Sequence, residues 1–539
     1  MRLIARPNYW QISTVVTSLI IFFPIAALIG VSFGDSDGIW EHLFQTVLLR
    51  YVITTISLMF GVVVVALLFG VTTAWIVTNY NFTAKSLIDF VLILPASCPA
   101  YLVAYAYTDF FEYAGPIQGG LRSIMGWETS ADYYFPEIRS VGGAIFVLAS
   151  VLYPYIYLLA RTAFLNTPQS LIEVTSIYGK SKFWNVSLPL GRPAIMAGVA
   201  LVSMEVVSDF GTVEYFSIQT LTLGIFNVWI GMNNLTAASQ ISLFTFLFIL
   251  VFLIIEIKSR SDKRFNDTSR RQRNARTENV SLKKGLVLIA VCLIPVFCGF
   301  FIPVMILIGN VSAYSIFTNI SEIFIILGNT LLVCFLGATC IVLVSTYLAA
   351  TTIVHGNKFF QRIANIAASG YAFPGTMLAI GVLISAGLLD KVLGSLSSFN
   401  FIFFKPVYVS GTLTVLVFAY LVRYLAVGYG ANVSGLTRVS LNLNWASRTL
   451  SKKFSNTIMQ ISIPLIKKSI IAGGLLAFVD IAKELPMTLL LRPFNFETLA
   501  TYTYQFAHDE LMDQASFPAL IIVMFGLIPV ILLNRLMRS

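Results

Sequence analysis

The chain has 539 residues, of which 57% are hydrophobic and only 11% are charged, and its mean hydropathy is +0.83. Soluble domains carry about 25% charged residues, so this composition excludes a soluble enzyme and predicts membrane-spanning helices. The net charge of +10 is explained by membrane topology, as the basic residues below indicate, and we expect no nucleic-acid partner.

Twelve apolar segments are long enough to cross a bilayer core of about 30 Å. They lie near 11–33, 52–78, 86–110, 141–162, 194–215, 239–257, 286–309, 328–353, 363–386, 408–430, 469–490 and 516–534. The first segment lacks a clear small-x-small cleavage site, so we interpret it as a retained helix. The sequence thus predicts an all-α membrane protein with about twelve transmembrane helices.

A polar, basic stretch without apolar periodicity divides these segments into two groups of six. We interpret residues 258–285 as a cytoplasmic linker, residues 1–257 as a first transmembrane repeat and residues 286–539 as a second. A parallel repeat of this kind indicates two fused ancestral subunits. With the N-terminus placed inside, most of the 35 Lys and Arg residues fall in cytoplasmic segments, as the positive-inside rule requires. Both termini are then cytoplasmic.

The two halves carry the same residues at matched distances from one proline each, Pro189 and Pro464. Glycine follows nine residues later, and acids follow sixteen and twenty residues later. These residues are Gly198 and Gly473, Glu205 and Asp480, and Asp209 and Glu484. Acids four residues apart are expected to share one face of a helix.

A carboxylate in hydrocarbon is costly unless it meets water, a cation or a partner. Two roles are therefore open for the four acids. They can line a transport pathway, or they can brace helices by pairing with Lys483, Arg492 or backbone donors.

Two basic loops precede these prolines. One is EVTSIYGKSKFWNVSLPLGRPAIMAG from Glu173, and the other is WASRTLSKKFSNTIMQISIPLIKKSIIAG from Trp445. Both resemble the EAA loop of ABC importer permeases, a cytoplasmic helix-turn-helix that docks on the ATPase. The resemblance assigns coupling to Glu173, Gly179, Leu188, Pro189, Ala446, Arg448, Ser451, Ile463 and Pro464. The first copy departs from the pattern in having Val174-Thr175 for Ala-Ala, and the second has Trp445 for Glu and Ser451 for Gly.

Other segments resemble ferric-iron permeases of this type I, fused two-repeat form. They are PAYLVAYAYTD from Pro99, SDFGTVEY from Ser208 and DIAKELPMTLLLRPFNFETLA from Asp480, although thiamine and phosphonate permeases share much of the last. Ferric ion prefers carboxylate and phenolate oxygens to sulfur. The candidate translocation pathway comprises Glu205, Asp209, Glu214, Tyr215, Asp480, Lys483 and Glu484, with Tyr101 and Tyr105 nearby in sequence. Helix packing and an interfacial belt are alternative roles for the tyrosines.

We expect no tight metal site, because such a site would obstruct transit. The five cysteines, at 98, 292, 298, 334 and 340, form no CxxC pair, which argues against a disulfide or metal framework.

The chain has no Gly-x-x-x-x-Gly-Lys-Ser/Thr run, so it lacks a phosphate-binding loop of that type. We therefore expect a transport permease without enzymatic activity or a cofactor of its own, with ATP and Mg bound by a partner. The resemblance implies two copies of an ABC ATPase, a periplasmic substrate-binding protein, surrounding lipid and the bacterial inner membrane. Ferric iron is the expected substrate. A permease for thiamine or another small solute, and a twelve-span ion-coupled secondary transporter, are the alternatives.

Overall fold

The structure is a computed structural model that describes residues 9–261, 277–311, 313–355, 358–398, 408–439, 443 and 454–538. Within these residues the chain is mainly helical, as predicted, and one short parallel sheet pairs β1 (Tyr80–Asn81) with β2 (Glu278–Asn279).

The helices of the first half are listed here in chain order. They are α1 (Tyr9–Ser32), α2 (Ile39–Thr46), α3 (Leu48–Asn79), α4 (Lys85–Val91), α5 (Ala100–Phe111), α6 (Pro116–Met125), α7 (Val141–Leu165), α8 (Gln169–Ile177), α9 (Leu188–Ser208), α10 (Gly211–Tyr215), α11 (Leu221–Phe226) and α12 (Leu235–Ser261).

The second half is listed in the same way, in chain order. Its helices are α13 (Leu282–Val296), α14 (Ile302–Asn310), α15 (Ala313–His355), α16 (Lys358–Ala367), α17 (Gly375–Ser398), α18 (Leu413–Arg438), α19 (Phe454–Thr457), α20 (Ile463–Ala482), α21 (Pro486–Leu491), α22 (Leu499–His508) and α23 (Met512–Arg538).

A helix lies at each of the twelve predicted span positions, and the predicted helical membrane fold is confirmed. In the described residues, however, nine helices are long and apolar enough to cross a membrane, or ten if one bent pair counts as a single span. Helix α20 is not among them; it carries Lys467, Lys468 and Asp480 within 20 residues. The count of twelve therefore stays a prediction.

The third predicted span is not a continuous helix. The segments Lys85–Ser97 and Ala100–Met125 meet at an angle of 87°. Pro95 and Pro99 flank this break. Because proline lacks the N–H and its ring crowds the preceding turn, the segment predicted as a span over 86–110 is broken rather than continuous.

The fifth and eleventh spans end earlier than predicted. Helix α9 ends at Ser208 and α20 ends at Ala482, rather than near 215 and 490. The expectation that the two acids of each half share one helix face is therefore wrong, because Asp209 and Glu484 lie beyond the helix end. Each of them instead precedes a short helix, α10 or α21.

The described chain divides into two compact units, and each unit draws on both halves of the sequence. One unit contains the chain up to Asp37, Val228–Leu243 and Asn319–Tyr502. The other contains Gly38–Asn227, Phe244–Thr318 and the chain from Thr503 onward.

The opening helix of each half packs against helices of the opposite half. In one unit, the Thr14 hydroxyl of α1 donates to Thr351 of α15 at 3.0 Å. In the other unit, the Tyr107 hydroxyl of α5 donates at 2.6 Å to the carbonyl of Cys298, in the turn between α13 and α14. The two halves therefore exchange their first helices.

Helices of both halves extend into the predicted linker. Helix α12 runs to Ser261 and α13 begins at Leu282, both inside the predicted linker bounds. Strand β2 lies on β1, and the Lys284 ammonium is 3.7 Å from the Glu278 carboxylate and 4.7 Å above the Tyr80 ring. Residues 262–276 are outside the described part of the chain.

Candidate coupling loop and transport pathway

The first basic loop forms a helix, a tight turn and a second helix. Helix α8 ends at Ile177, and Gly179 then adopts a left-handed backbone with φ of +65°. Only glycine takes this conformation without strain, which explains why the turn falls there. The Glu173 side chain is exposed on α8 and accepts a hydrogen bond from the Gln169 amide at 3.2 Å.

Apolar side chains of this loop face solvent. Ile177 is 82% exposed, Tyr178 is 75% exposed and Trp184 is 68% exposed. Val174 and Leu171 add further apolar surface on α8. A cluster of this kind on a polar segment marks an interaction surface.

The loop is anchored to the membrane helices by aromatic packing. The Phe183 ring lies 5.0 Å from Trp75 of α3, and Trp75 also contacts Phe164 of α7 at 5.8 Å. A displacement of the loop would therefore reach α3 and α7 directly.

Both repeat prolines follow a π-helical turn. Phe183–Ser187 precedes α9, with Pro189 at its start, and Ile458–Ser462 precedes α20, with Pro464 at its start. Leu188 and Ile463 begin the two helices. Proline is tolerated in a first helical turn, where its missing N–H has no intrahelical partner. In the second loop, Ala446, Arg448 and Ser451 lie outside the described residues.

The first acid of each pair lies near the end of its helix and is partly accessible. Asp480 on α20 forms an ion pair with Lys483 at 3.0 Å, and its side chain is 22% exposed. Glu205 occupies the matched position on α9 and is likewise intermediate in burial. The predicted pairing with Lys483 is thus present in the second half.

The second acid of each pair caps a short helix. The Asp209 carboxylate accepts hydrogen bonds from the Thr212 hydroxyl and the Val213 N–H, both at 3.1 Å. The Glu484 carboxylate accepts from the N–H groups of Met487 and Thr488, both at 3.0 Å. Each of the two carboxylates thus accepts from backbone N–H groups at a helix start, which have no partner within the helix.

Only one of these caps has an arginine partner in the described residues. The Arg423 guanidinium of α18 lies 3.4 Å from Glu484, with side chains 13% and 2% exposed. At Asp209 the described neighbours are backbone and hydroxyl donors and the Glu205 carboxylate. Arg492, the other predicted partner, pairs with Glu497 instead.

Two segments of similar sequence, one in each half, make the same long-range contact. They are Gln219-Thr220-Leu221 and Glu497-Thr498-Leu499. The Leu221 N–H donates to the Thr55 hydroxyl at 3.0 Å, and the Leu499 N–H donates to Thr330 at 2.8 Å. Thr55 and Thr330 lie at matched positions on α3 and α15. The repeat inferred from sequence therefore extends to tertiary hydrogen bonds.

Glu214 and Tyr215 belong to a cluster that sequence reasoning found only in part. Tyr215 packs on Tyr105 with ring centroids 4.4 Å apart, and Tyr105 contacts Tyr101 at 5.6 Å. Glu214 interacts electrostatically with Tyr504 and lies 3.8 Å from His508. Tyr504 and His508 are one turn apart on α22, a spacing that could have marked them as a pair.

Arg139 lies beside this cluster and is held by two carboxylates. Its guanidinium is 2.5 Å from Glu112, 3.3 Å from Glu510 and 5.0 Å above the Tyr215 ring. Glu112 and Arg139 also line a cavity of about 820 Å³ formed by residues 111–140. In the same segment, the N–H groups of Thr129 and Glu128 hold the pKa of the exposed Asp132 carboxyl below its usual value.

The apolar helices and the repeated pattern of loop, proline and acids define a multi-pass membrane permease. The chain is 23% identical over 478 residues to the Fe(3+)-transport system permease protein FbpB 2 of Haemophilus influenzae, with 86% of this chain and 85% of the relative covered. This similarity, along most of both chains, agrees with the predicted class of permease.

Shorter similarities involve permeases named for other solutes. The chain is 26% identical to a probable sulfate transport system permease of Chlorokybus atmophyticus, covering 38% of this chain and 70% of the relative. It is 24% identical to the molybdenum transport system permease ModB of Haemophilus influenzae, covering 34% and 80%. No protein-family model matches the chain.

Proposed function

We propose that this chain is the permease of an ATP-driven importer that moves ferric iron across the bacterial inner membrane. Both termini are cytoplasmic in this proposal, as the distribution of Lys and Arg favours. The observation that carries it is the similarity to an Fe(3+)-transport permease along both halves of the chain.

The α8 loop supplies the coupling surface. Its exposed Ile177, Tyr178 and Trp184 are suited to fill a cleft of an ATPase that the chain itself does not encode. Closure of the ATPase would move the loop, and the Phe183–Trp75 contact would pass this movement to α3. One ATPase copy per loop gives two in the assembly.

The charges around Tyr215 favour a cation over an oxyanion as the transported ion. This tyrosine interacts electrostatically with three carboxylates, those of Glu112, Glu510 and Asp109, and with the guanidinium of Arg139. Glu214 precedes it in the sequence and lies beside His508. Carboxylates repel sulfate, molybdate and phosphonates, whereas they attract a trivalent cation. A substrate-binding protein outside the membrane would deliver the iron and provide the primary selectivity.

Uptake of radiolabelled ferric iron in a strain lacking this gene tests the proposal. We expect uptake to be lost in the deletion strain and restored by the full chain with its ATPase. Labelled molybdate, sulfate and thiamine serve as parallel substrates. Normal iron uptake with loss of one of the others would assign the permease to that solute instead.

A further inference from the structure

Two polar atoms in the Glu214 cluster are buried without a partner in the part of the chain that the structure describes. They are the Oε2 atom of Glu214 and the hydroxyl of Tyr105. Tyr105 is 1% exposed. Leaving such buried groups unpaired is unfavourable, so their position points to a ligand that pairs with them.

The polar side chains that adjoin Glu214 carry oxygen or imidazole groups. Tyr504 interacts electrostatically with Glu214, and His508 Nε2 lies 3.8 Å from Glu214 Oε1. Tyr105 is within electrostatic range of both Glu214 and Tyr504. Carboxylate and phenolate oxygens suit a hard, highly charged metal ion, and imidazole is a common ligand of iron.

The cluster also has a graded path to solvent. The His508 side chain is 57% exposed, Glu214 is 15% exposed, and Tyr105 is buried. An ion arriving from the exposed side would meet the imidazole first, then the carboxylate and finally the buried phenol.

We propose that Glu214, Tyr504, His508 and Tyr105 form a transient ferric-ion site on the transport route. The inference rests on the proposed iron transport and adds the residues that receive the ion. Each phenol that binds the ion forms an Fe–O bond as its O–H bond breaks, and its one proton passes to water. The ion keeps its +3 charge, and no electron is transferred.

The site differs from a resident cofactor site because the Glu214 carboxylate already interacts with Tyr504 and His508. An entering ion has to compete with these interactions, which re-form when the ion leaves. This competition weakens binding, which is what a transported ion requires. The site thereby agrees with the expectation that the chain holds no tight metal site.

Visible absorption of the full-length chain in nanodiscs, titrated with ferric nitrilotriacetate, tests the site directly. Phenolate bound to ferric iron gives a charge-transfer band that carboxylate and imidazole alone do not give. We expect this band in the unmodified chain, and an apparent Kd raised about tenfold or more in Glu214→Gln, since even indirect ligand supports are worth 10–100-fold in metal affinity. Tyr504→Phe should remove most of the band.

Tyr107→Phe is the matched control. Tyr107 lies on the same helix as Tyr105, but its hydroxyl donates to the Cys298 carbonyl, away from the cluster. The control should keep both the band and the Kd. A folded unmodified chain without the band, or a band equally strong in Tyr504→Phe and Tyr105→Phe, would overturn the site.

Iron uptake by the same variants separates this inference from the proposed function. Uptake by the unmodified chain, together with full uptake by Glu214→Gln and Tyr504→Phe, would leave an iron permease without this site. No iron uptake by the unmodified chain would instead refute the function on which the site rests.

Discussion

The two halves of the chain share a scaffold but differ in the chemistry they carry. Thr55 and Thr330 hold matched loop segments through the same hydrogen bond, and Pro99 and Pro374 precede matched helices α5 and α17. The sequence spacing from Pro99 to Pro374 equals that from Pro189 to Pro464. Residues at this spacing can be compared directly as far as Asp209 and Glu484, and the spacing has grown by three residues at Leu221 and Leu499.

The proposed iron site draws on both halves, because Tyr105 and Glu214 belong to the first half and Tyr504 and His508 belong to the second. At the spacing of the repeat, Tyr105 corresponds to Ile380, which has no hydroxyl. In the other direction, Arg423, which pairs with Glu484, corresponds to Leu148. The repeat thus governs backbone and packing, whereas each half carries its own charged groups.

Glu484→Gln should produce the largest difference between the halves. It leaves the Arg423 guanidinium buried without its carboxylate, and breaking a buried ion pair costs about 3–5 kcal/mol. The matched change Asp209→Asn keeps an acceptor for the helix cap and should cost about 1 kcal/mol. Thermal unfolding and folded yield of the purified chain in detergent measure both.

The double variant Arg423→Leu with Glu484→Gln is the control for this prediction. It installs the residue found at the matched position in the first half, and we expect it to recover part of the lost stability. Equal destabilisation by Glu484→Gln and Asp209→Asn would show that the ion pair does not distinguish the halves.

Ile177→Glu should uncouple the first loop from its ATPase. It places a charge on the exposed apolar surface of α8, where a desolvated carboxylate opposes docking. We expect substrate-stimulated ATPase activity in proteoliposomes to fall about tenfold, which corresponds to roughly 1.4 kcal/mol. Insertion into the membrane should be normal.

Ile124→Glu is the matched control for the loop, because Ile124 is 79% exposed at the end of α6 and Ile177 is 82% exposed. The same substitution there should leave coupled activity near normal. If both variants lower activity alike, the effect comes from added charge rather than from the loop.

Thr55→Val and Thr330→Val should destabilise the chain to the same extent. Each leaves one buried N–H, of Leu221 or Leu499, without its acceptor, at a cost of about 1–3 kcal/mol. Chemical denaturation in mixed micelles measures the two losses. A large effect in one half only would contradict the shared scaffold.

Gly198→Ala and Gly473→Ala should have the smallest effects. An added Cβ would lie 3.0 Å from Ile156 Cα at Gly198 and 3.0 Å from Ala431 Cβ at Gly473. Overpacking costs about 1–3 kcal/mol, and the helix propensity of alanine returns about 1 kcal/mol. We expect net losses of about 1 kcal/mol in both halves, read from thermal unfolding. A net gain at either position would show that the helix crossing can relax there.

Sequence alone indicated the class of the protein and predicted its division into two repeats. Hydropathy is a local property of each segment, and it located twelve helical regions correctly while misjudging breaks such as the one at Pro99. The glycine turn at Gly179 and the helix starts at Pro189 and Pro464 were predictable for the same reason. Each depends on the conformational limits of one residue.

The tertiary structure decided which charged and phenolic groups meet. Tyr504 and His508 lie far along the chain from Glu214, and no periodicity links them. Arg423 reaches Glu484 because α18 packs against the start of α21, a contact absent from the local sequence of either helix. Hydrophobic burial is non-directional and sets where helices lie, whereas hydrogen bonds and ion pairs need distances and angles that exist only after the helices have packed.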